Sequence, residues 1–221
     1  MMGEAADVSR VMFVPDYNTA SAVMRGVYQS HGQFWTLVAP KDSSIADLFT
    51  QEEAEQLLEQ GVLRLDWASH KLENQQVVLT AVGAYQLEEV LKASARLAQR
   101  DLPHSVVYML EPARFREPYS EGEQDHAVSP ELRAQIYPDS VPARIFVTHT
   151  RPGPLLGVLQ TLNTGRDQTS ALGYISQGGT LDVNGLLFIN RCTWAYILRE
   201  TARILRMPAE SLLTADELEG L

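Results

Sequence analysis

Two polar side chains in this sequence each follow an apolar run of the kind that forms a buried β-strand. Lys41 follows residues 34–39, and His149 follows residues 144–148. Ligands of open parallel sheets collect at the carboxyl ends of the strands, so both residues are candidate ligand contacts. A lysine there can neutralise a phosphate group as a flexible point charge. The alternatives are a solvated surface lysine and a histidine whose ring is hydrogen-bonded within the fold.

Four glycines fall within residues 171–185, in the stretch ALGYISQGGTLDVNG. Their spacing matches neither GxGxxG nor GxxxxGK[ST], which excludes the usual dinucleotide and P-loop motifs. A phosphate held at the amino end of the following helix stays open. Asp182 argues against it, because its carboxylate would already occupy the positive end of that helix. We therefore predict a structural turn that leads into a helix capped by Asp182.

The histidines and the single cysteine show no arrangement typical of a metal centre or an activated nucleophile. The five histidines and Cys192 form no HExxH or CxxC motif, and the chain contains no GxSxG elbow. Cys192 stands beside Trp194 in an apolar, helix-like segment. This setting predicts a buried, unreactive thiol.

The amino-acid composition excludes several classes of protein. The 221 residues include 28 Asp and Glu against 18 Lys and Arg, a formal net charge of −10. This acidity argues against a surface for nucleic acid or anionic membranes, because such surfaces need clustered Lys and Arg. No apolar run reaches the roughly 20 residues that span a bilayer, and no signal segment opens the chain. Together with a single cysteine, these features predict a cytoplasmic protein.

Apolar runs alternate with amphipathic segments along the chain, a pattern typical of α/β domains. We predict a three-layer α/β sandwich with a mostly parallel five-stranded sheet. Residues 11–206 would form this domain, after a leader or cloning remnant over 1–10 and before a frayed tail over 207–221. The acidic segment 116–124 is predicted to be the longest loop. The predicted strands are residues 11–14, 34–39, 77–82, 105–110 and 144–148.

Capping signals place several helices. Thr50 with Glu53 is a capping box, and Gly61 is the expected stop of the same helix. Ser129 followed by Pro130 is typical of an N-cap and first helical residue. Further helices are predicted from about residue 18, over 85–99, over 155–162, and as a pair within 186–205.

Several stretches, taken in order, resemble the C-terminal domain of phosphoketolases and together cover residues 12 to about 205. They are VPDYNTASAVMRGVYQS, LVAPKDSS, LDWASH, VVLTAVGAYQLEEVLKASARLAQRDLPHSVVYMLEPARF, IFVTH and GYISQGGTLD with the later LLFIN. The long middle stretch is also similar to the C-terminal domains of transketolases and of the dehydrogenase components of 2-oxo-acid complexes. The resemblance predicts a transketolase C-terminal-like domain.

The resemblance carries functional expectations. Phosphoketolases cleave sugar phosphates with inorganic phosphate to give acetyl phosphate, using thiamine diphosphate and Mg²⁺ held between a pyrophosphate-binding and a pyrimidine-binding domain at a dimer interface. It implies that this chain binds no cofactor, helps to form a homodimer, and works with those two domains in the same polypeptide or as another subunit. It also implies a substrate-phosphate contact for Lys41, because VAPK matches the family's Val-Ala-Gly-Lys context.

The sequence departs from the family pattern at the candidate site. HTRP at 149–152 stands where the family has His-Gly-Tyr-Pro, and GTLD at 179–182 replaces a threonine-rich run. The chain has no Gly-Asp-Gly motif for a Mg²⁺-diphosphate, so we expect it to be inactive alone. Three hypotheses follow: a domain of a phosphoketolase-like enzyme, a non-catalytic interaction or regulatory module that keeps the fold, and an independent nucleotide-binding protein.

Overall fold

Two β-sheets organise the chain in a computed structural model that describes residues 2–41, 47–175 and 179–221. The first pairs β1 and β2 in parallel, and the second has the order β3-β5-β4-β6-β7. Within the larger sheet only β3 runs antiparallel to its neighbour. The strands are β1 Ser9–Phe13, β2 Phe34–Val38, β3 Val62–Arg64, β4 Val77–Val82, β5 His104–Met109, β6 Ala143–Thr148 and β7 Thr169–Leu172.

Helices cover both faces of the larger sheet, and the sequence signals explain where several of them begin. Thr50 and Glu53 form the predicted capping box, Gly61 ends the same helix in the left-handed conformation, and Ser129 caps the helix that starts at Pro130. The helices are α1 Tyr17–Gln29, α2 Gln51–Gln60, α3 Ala84–Gln99, α4 Glu121–His126, α5 Pro130–Ile136, α6 Pro152–Val158, α7 Val183–Ile189, α8 Trp194–Leu205 and α9 Ala215–Glu219.

The core lies on the two faces of the larger sheet, and the central strand β4 contributes to both. Val77 and Leu79 point to the face covered by α3 and α8, whereas Val78 points to the face covered by α6. Every residue of β4, β5 and β6 is buried, as expected for parallel strands with helices on both sides. The predicted three-layer α/β sandwich with a mostly parallel five-stranded sheet is confirmed.

The strands that build the large sheet differ from the predicted set. Residues 11–14 and 34–39 were predicted to join it, but β1 and β2 pair with each other in a separate sheet. Their two positions in the five-stranded sheet are occupied by β3 and β7, which the sequence did not predict. β3 has only three residues, and β7 reads Thr-Ser-Ala-Leu, so neither offers the apolar run on which a strand is recognised.

Three segments predicted to be irregular are structured. The predicted acidic loop contains α4, whose first turn is capped by Ser120. The predicted frayed tail is packed, because Leu212 and Leu213 are buried and α9 begins with a capping box at Thr214. At the other end of the chain, β1 already begins at Ser9. In these three segments the apolar residues are isolated among polar ones. They show no helical or strand periodicity, so the sequence did not predict their packing.

Within the described residues, no helix combines the length and the apolar character that a membrane crossing needs.

His104 gives the fold a predictable response to acid. Burial lowers the pKa of its imidazole, whose Nδ1–H donates to Leu102 O at 2.8 Å. Below the ordinary histidine pKa, the folded state therefore binds fewer protons than the unfolded state. The stability of the fold consequently decreases as the pH drops from the ordinary histidine pKa to the lowered pKa of His104. We expect the free energy of unfolding to fall by up to about 1.4 kcal/mol for each pH unit below about pH 6.5, until His104 is protonated in the folded chain. Urea unfolding at a series of pH values measures this. His104→Gln should reduce this slope, and the part that remains includes the contribution of His149, whose pKa burial also lowers.

The control is His31, which is exposed. His31→Gln should keep the wild-type dependence of stability on pH. Equal slopes for His104→Gln and wild type between pH 6.5 and pH 5 would show that the burial of His104 does not set this response.

Candidate functional site

Lys41 and His149 line the same cleft. The cleft has a volume of about 750 Å³ and lies at the carboxyl ends of β4 and β6, with α7 on its far side. Lys41 enters from the end of β2 in the small sheet, and His149 enters from the end of β6 in the large sheet. The cleft therefore lies where the two sheets meet, a frequent location for ligand sites.

The end of β6 positions His149. Its backbone N–H donates to Val82 O at 2.9 Å, which holds the residue beside the end of β4. Contact with the cleft walls excludes part of the solvent around the imidazole and lowers its pKa, although the residue as a whole is exposed. The neutral ring therefore predominates at pH 7, and a bound anion would favour its protonated form.

The position of Lys41 follows from the strand before it. β2 ends at Val38, and Pro40 directs the chain over the cleft so that the exposed Lys41 side chain reaches its rim. The residues that follow Lys41 lie outside the described part of the chain. A lysine on a short segment after a strand can adjust its reach to a charged ligand, as the sequence predicted.

Gly83 forms the floor of the cleft. It is the N-cap of α3 and has φ +121° and ψ 154°, a conformation open to almost no residue but glycine. The hydroxyl of Tyr108, which lies near the backbone of Gly83, donates to Phe13 O in β1. The first turn of α3 has no side-chain cap and no acidic residue. The amides of Ala84 and Tyr85 consequently stand at an open, positively polarised helix end.

Gln86, in the first turn of α3, also lines the cleft and was not singled out from the sequence. The residue is only 5% exposed, and its Oε1 atom has no hydrogen-bond partner among the described residues. Oε1 lies over Gly83, where a Cβ atom would come within 2.4 Å of it. A glutamine three residues after a glycine N-cap was the available signal, because this is the capping-box position of a helix that lacks a capping side chain.

The opposite wall belongs to the turn before α7 and to the residues after it. Asn190 is held by two hydrogen bonds, since its Oδ1 accepts from Ile175 N and its Nδ2 donates to Leu186 O, both at 2.8 Å. Cys192 is buried, and burial together with the nearby Glu89 raises the pKa of its thiol to about 12. The predicted burial of Cys192 is confirmed, and the raised pKa of its thiol supports the prediction that it is unreactive.

The glycine-rich stretch turns the chain beside this wall. A Cβ atom on Gly173 would lie 2.4 Å from Thr150 O, so only a glycine allows the two loops to approach this closely. Asp182 caps α7 by accepting from Gly185 N at 2.7 Å, as predicted. Residues 176–178 lie outside the described part of the chain. The described residues of this stretch thus form a turn and a helix cap.

The cleft carries no negative charge on its described lining residues. None of them is Asp or Glu, although the chain as a whole has a formal charge of −10. Nor do the described residues gather three or more His, Cys, Asp or Glu side chains that could hold a metal ion. The donor set therefore fits an organic or inorganic anion and does not fit Mg²⁺ or a Mg²⁺-bound diphosphate, which needs oxygen ligands from carboxylates.

Comparisons with known proteins agree on the fold. The family model described as XFP C-terminal domain matches residues 43–200, which begins after β2. Transketolase from Leishmania mexicana is 15% identical with a TM-score of 0.62, and transketolase from Campylobacter jejuni is 11% identical with a TM-score of 0.59. Each match covers 90% of this chain, which spans about a quarter (26%) of either transketolase.

A third structure is a shorter protein, described as a split gene transketolase in an inactive beta4 tetramer. It is 12% identical with a TM-score of 0.56, and the match covers 90% of this chain and 58% of the other. At these identities the structural matches show a shared fold. A comparison with curated proteins found no match.

Proposed function

Since the chain belongs to the XFP C-terminal domain family, the C-terminal domain of phosphoketolases, we propose that it serves as that domain in a thiamine diphosphate enzyme that cleaves a sugar phosphate. Its own contribution is to bind the phosphate group of the substrate in the cleft of Lys41 and His149. One observation carries this proposal: two basic side chains from different sheets line one cleft whose described residues include no carboxylate. We place the enzyme in the cytoplasm.

The chemistry of the cleft suits a phosphate dianion. Lys41 supplies an ammonium group at the rim, and His149 supplies a ring that gains a proton when an anion binds beside it. Charged groups in a partly enclosed cleft act more strongly than they do in water. We assign the bond-breaking steps to the cofactor-binding domains, and to this cleft only the binding of the phosphate group.

The cofactor belongs to other domains in this proposal. Thiamine diphosphate enzymes hold the diphosphate through Mg²⁺, and the described residues of this chain present no suitable cluster. The pyrophosphate- and pyrimidine-binding domains would supply it, either in the same polypeptide or as a separate subunit. The share of the transketolases that this chain spans, about a quarter (26%), fits such a division.

The N-terminal βαβ unit, residues 9–38, is the surface we assign to these domains and to dimer formation. It lies before the first residue of the family match, and its small sheet is separate from the large one. β2 exposes Phe34 by 72%, and α1 exposes Tyr17, Met24 and Tyr28 along one helical face. Apolar side chains exposed in such number are typical of a protein interface. The split gene transketolase, which shares this fold over 58% of its length, is described as a tetramer, and this supports assembly of the chain into an oligomer.

Replacing Lys41 tests the proposed function. In the 221-residue chain, we expect Lys41→Met to weaken the binding of methyl phosphate about tenfold, because one charge pair with a dianion is lost. Isothermal titration calorimetry at low salt measures this. Lys71→Met is the matched control: it removes the same charge from a lysine paired with Asp101 outside the cleft, and it should bind as wild type does.

Within the assembled enzyme, Lys41→Met should raise the Michaelis constant for the sugar phosphate more than it lowers kcat. If both constants stay at their wild-type values, Lys41 does not contact the substrate. Binding of partner domains without any binding of phosphate would favour the non-catalytic interaction module instead.

A further inference from the structure

The amino end of α3 is an open anion site inside the cleft. The helix is 16 residues long, and neither a capping side chain nor an acidic residue occupies its first turn. Its first intrahelical hydrogen bond runs from Leu87 N to Gly83 O at 3.0 Å, which leaves the amides before Leu87 without an intrahelical acceptor. Unpaired amides and the helix dipole together favour a phosphate or a carboxylate at this position.

A second, independent feature at this site is the orphaned carbonyl of Gln86. In a capping box, the side chain at this position accepts from the N–H of the N-cap residue. Here Gln86 Oε1 accepts from no described residue, although it is buried and lies directly over Gly83. A buried acceptor without a donor is costly, and a ligand can supply the donor.

Taken together, the two features define a ligand with two kinds of group. One end must be an anion that accepts from the amides of Ala84 and Tyr85, and the other must donate to Gln86 Oε1. A hydroxyl group is the simplest such donor, and the cleft volume of about 750 Å³ leaves room for a body between the two groups.

We propose that α3 and Gln86 recognise a phosphate monoester that carries a hydroxyl group: the phosphate sits on the first amides of α3, and the hydroxyl donates to Gln86 Oε1. This inference rests on the proposed function and deepens it, because it separates the charge-binding group of the cleft from the group that distinguishes one phosphate ester from another. Lys41 and His149 supply charge, and Gln86 supplies specificity.

Two probes that differ only in their hydroxyl groups test the inference. Propyl phosphate has none, and glycerol 3-phosphate has two on the same three-carbon chain. We expect the 221-residue wild-type chain to bind glycerol 3-phosphate at least threefold more tightly than propyl phosphate at pH 8, by calorimetry. Gln86→Met keeps the size of the side chain and removes its acceptor. It should bind glycerol 3-phosphate no more tightly than propyl phosphate.

Gln86→Glu keeps an acceptor at this position and adds a negative charge, whereas Gln86→Met removes the acceptor. The positive end of the helix favours a carboxylate there, which offsets part of the cost of burying its charge. The Gln86→Glu variant should nevertheless weaken the binding of both probes at least tenfold, because it places a negative charge beside the phosphate. Urea unfolding of each variant shows whether a loss of binding comes from a loss of structure.

The outcomes separate this inference from the proposed function. If Lys41→Met weakens binding but both Gln86 variants bind as wild type does, the role of Gln86 is wrong and the phosphate site stands. If the Gln86 variants change binding as expected and Lys41→Met does not, Gln86 and α3 hold the ligand and the role of Lys41 is wrong. If wild type binds neither probe, both are wrong.

Discussion

Arg10→Met is expected to lower the free energy of unfolding by about 3–5 kcal/mol at pH 7, the cost of leaving one partner of a buried ion pair alone. The Glu111 side chain is 0% exposed, and Arg10 donates to both of its oxygens at 3.0 and 2.7 Å. Burial by itself would raise the pKa of the Glu111 carboxyl, but hydrogen bonds from His126 and Arg10 hold that pKa below its ordinary value. The carboxylate is thus charged and depends on these partners. Urea unfolding monitored by circular dichroism measures the loss.

Two further variants show whether the effect comes from the buried charge. Arg25 pairs with Glu55 at 2.8 Å with both side chains half-exposed, so Arg25→Met should cost less than about 1 kcal/mol. Arg10→Met combined with Glu111→Leu removes both charges and should recover part of the loss, because no carboxylate is left buried. If Arg10→Met and Arg25→Met cost the same, the pair does not hold β1 to the end of β5.

Gly83→Ala is expected to destabilise the chain by about 1–3 kcal/mol and to abolish the binding of phosphate esters. At φ +121° an L-residue is strained, and the added Cβ would lie 2.4 Å from Gln86 Oε1 and 3.1 Å from His149 Cβ. Relief of these contacts must move Gln86 or His149 away from the cleft floor. Urea unfolding and calorimetry with glycerol 3-phosphate measure the two effects.

Gly157→Ala is the matched control. Gly157 lies in α6, and no atom lies within 4 Å of a Cβ atom built on it. An alanine there should stabilise the chain by roughly 0.5–1 kcal/mol and leave ligand binding unchanged, because glycine is unfavourable within a helix. Full binding by Gly83→Ala would show that the geometry of the N-cap does not shape the cleft.

The parts of the structure that local sequence determines were predictable. The capping box at Thr50 depends on residues three apart, and the buried strand β4 is apolar except for Thr80. Lys41 and His149 both follow strands and both line one cleft, but Lys41 follows a strand of the small sheet and not, as predicted, of the large one. Their contact with a substrate stays a prediction.

Features that join distant residues could not be read from the sequence. Arg10 and Glu111 are 101 positions apart, and neither belongs to a sequence motif from which its partner could be identified. The division into two sheets depends on which strands pair, and apolar runs do not specify pairing. Gln86 Oε1 is buried without a donor among the described residues, and that burial depends on tertiary packing around the cleft.

Strand β2 has a consequence for handling this protein. Its five residues, Phe-Trp-Thr-Leu-Val, are all favourable in β-structure, and none is charged or proline. Natural edge strands usually carry lysine, proline or a bulge, which keeps other molecules from adding to them. A short apolar segment without such gatekeeper residues is the kind that nucleates aggregation when it is exposed. Produced without the domains that we expect to cover it, the chain should therefore be prone to self-association, and co-expression with those domains should raise its solubility.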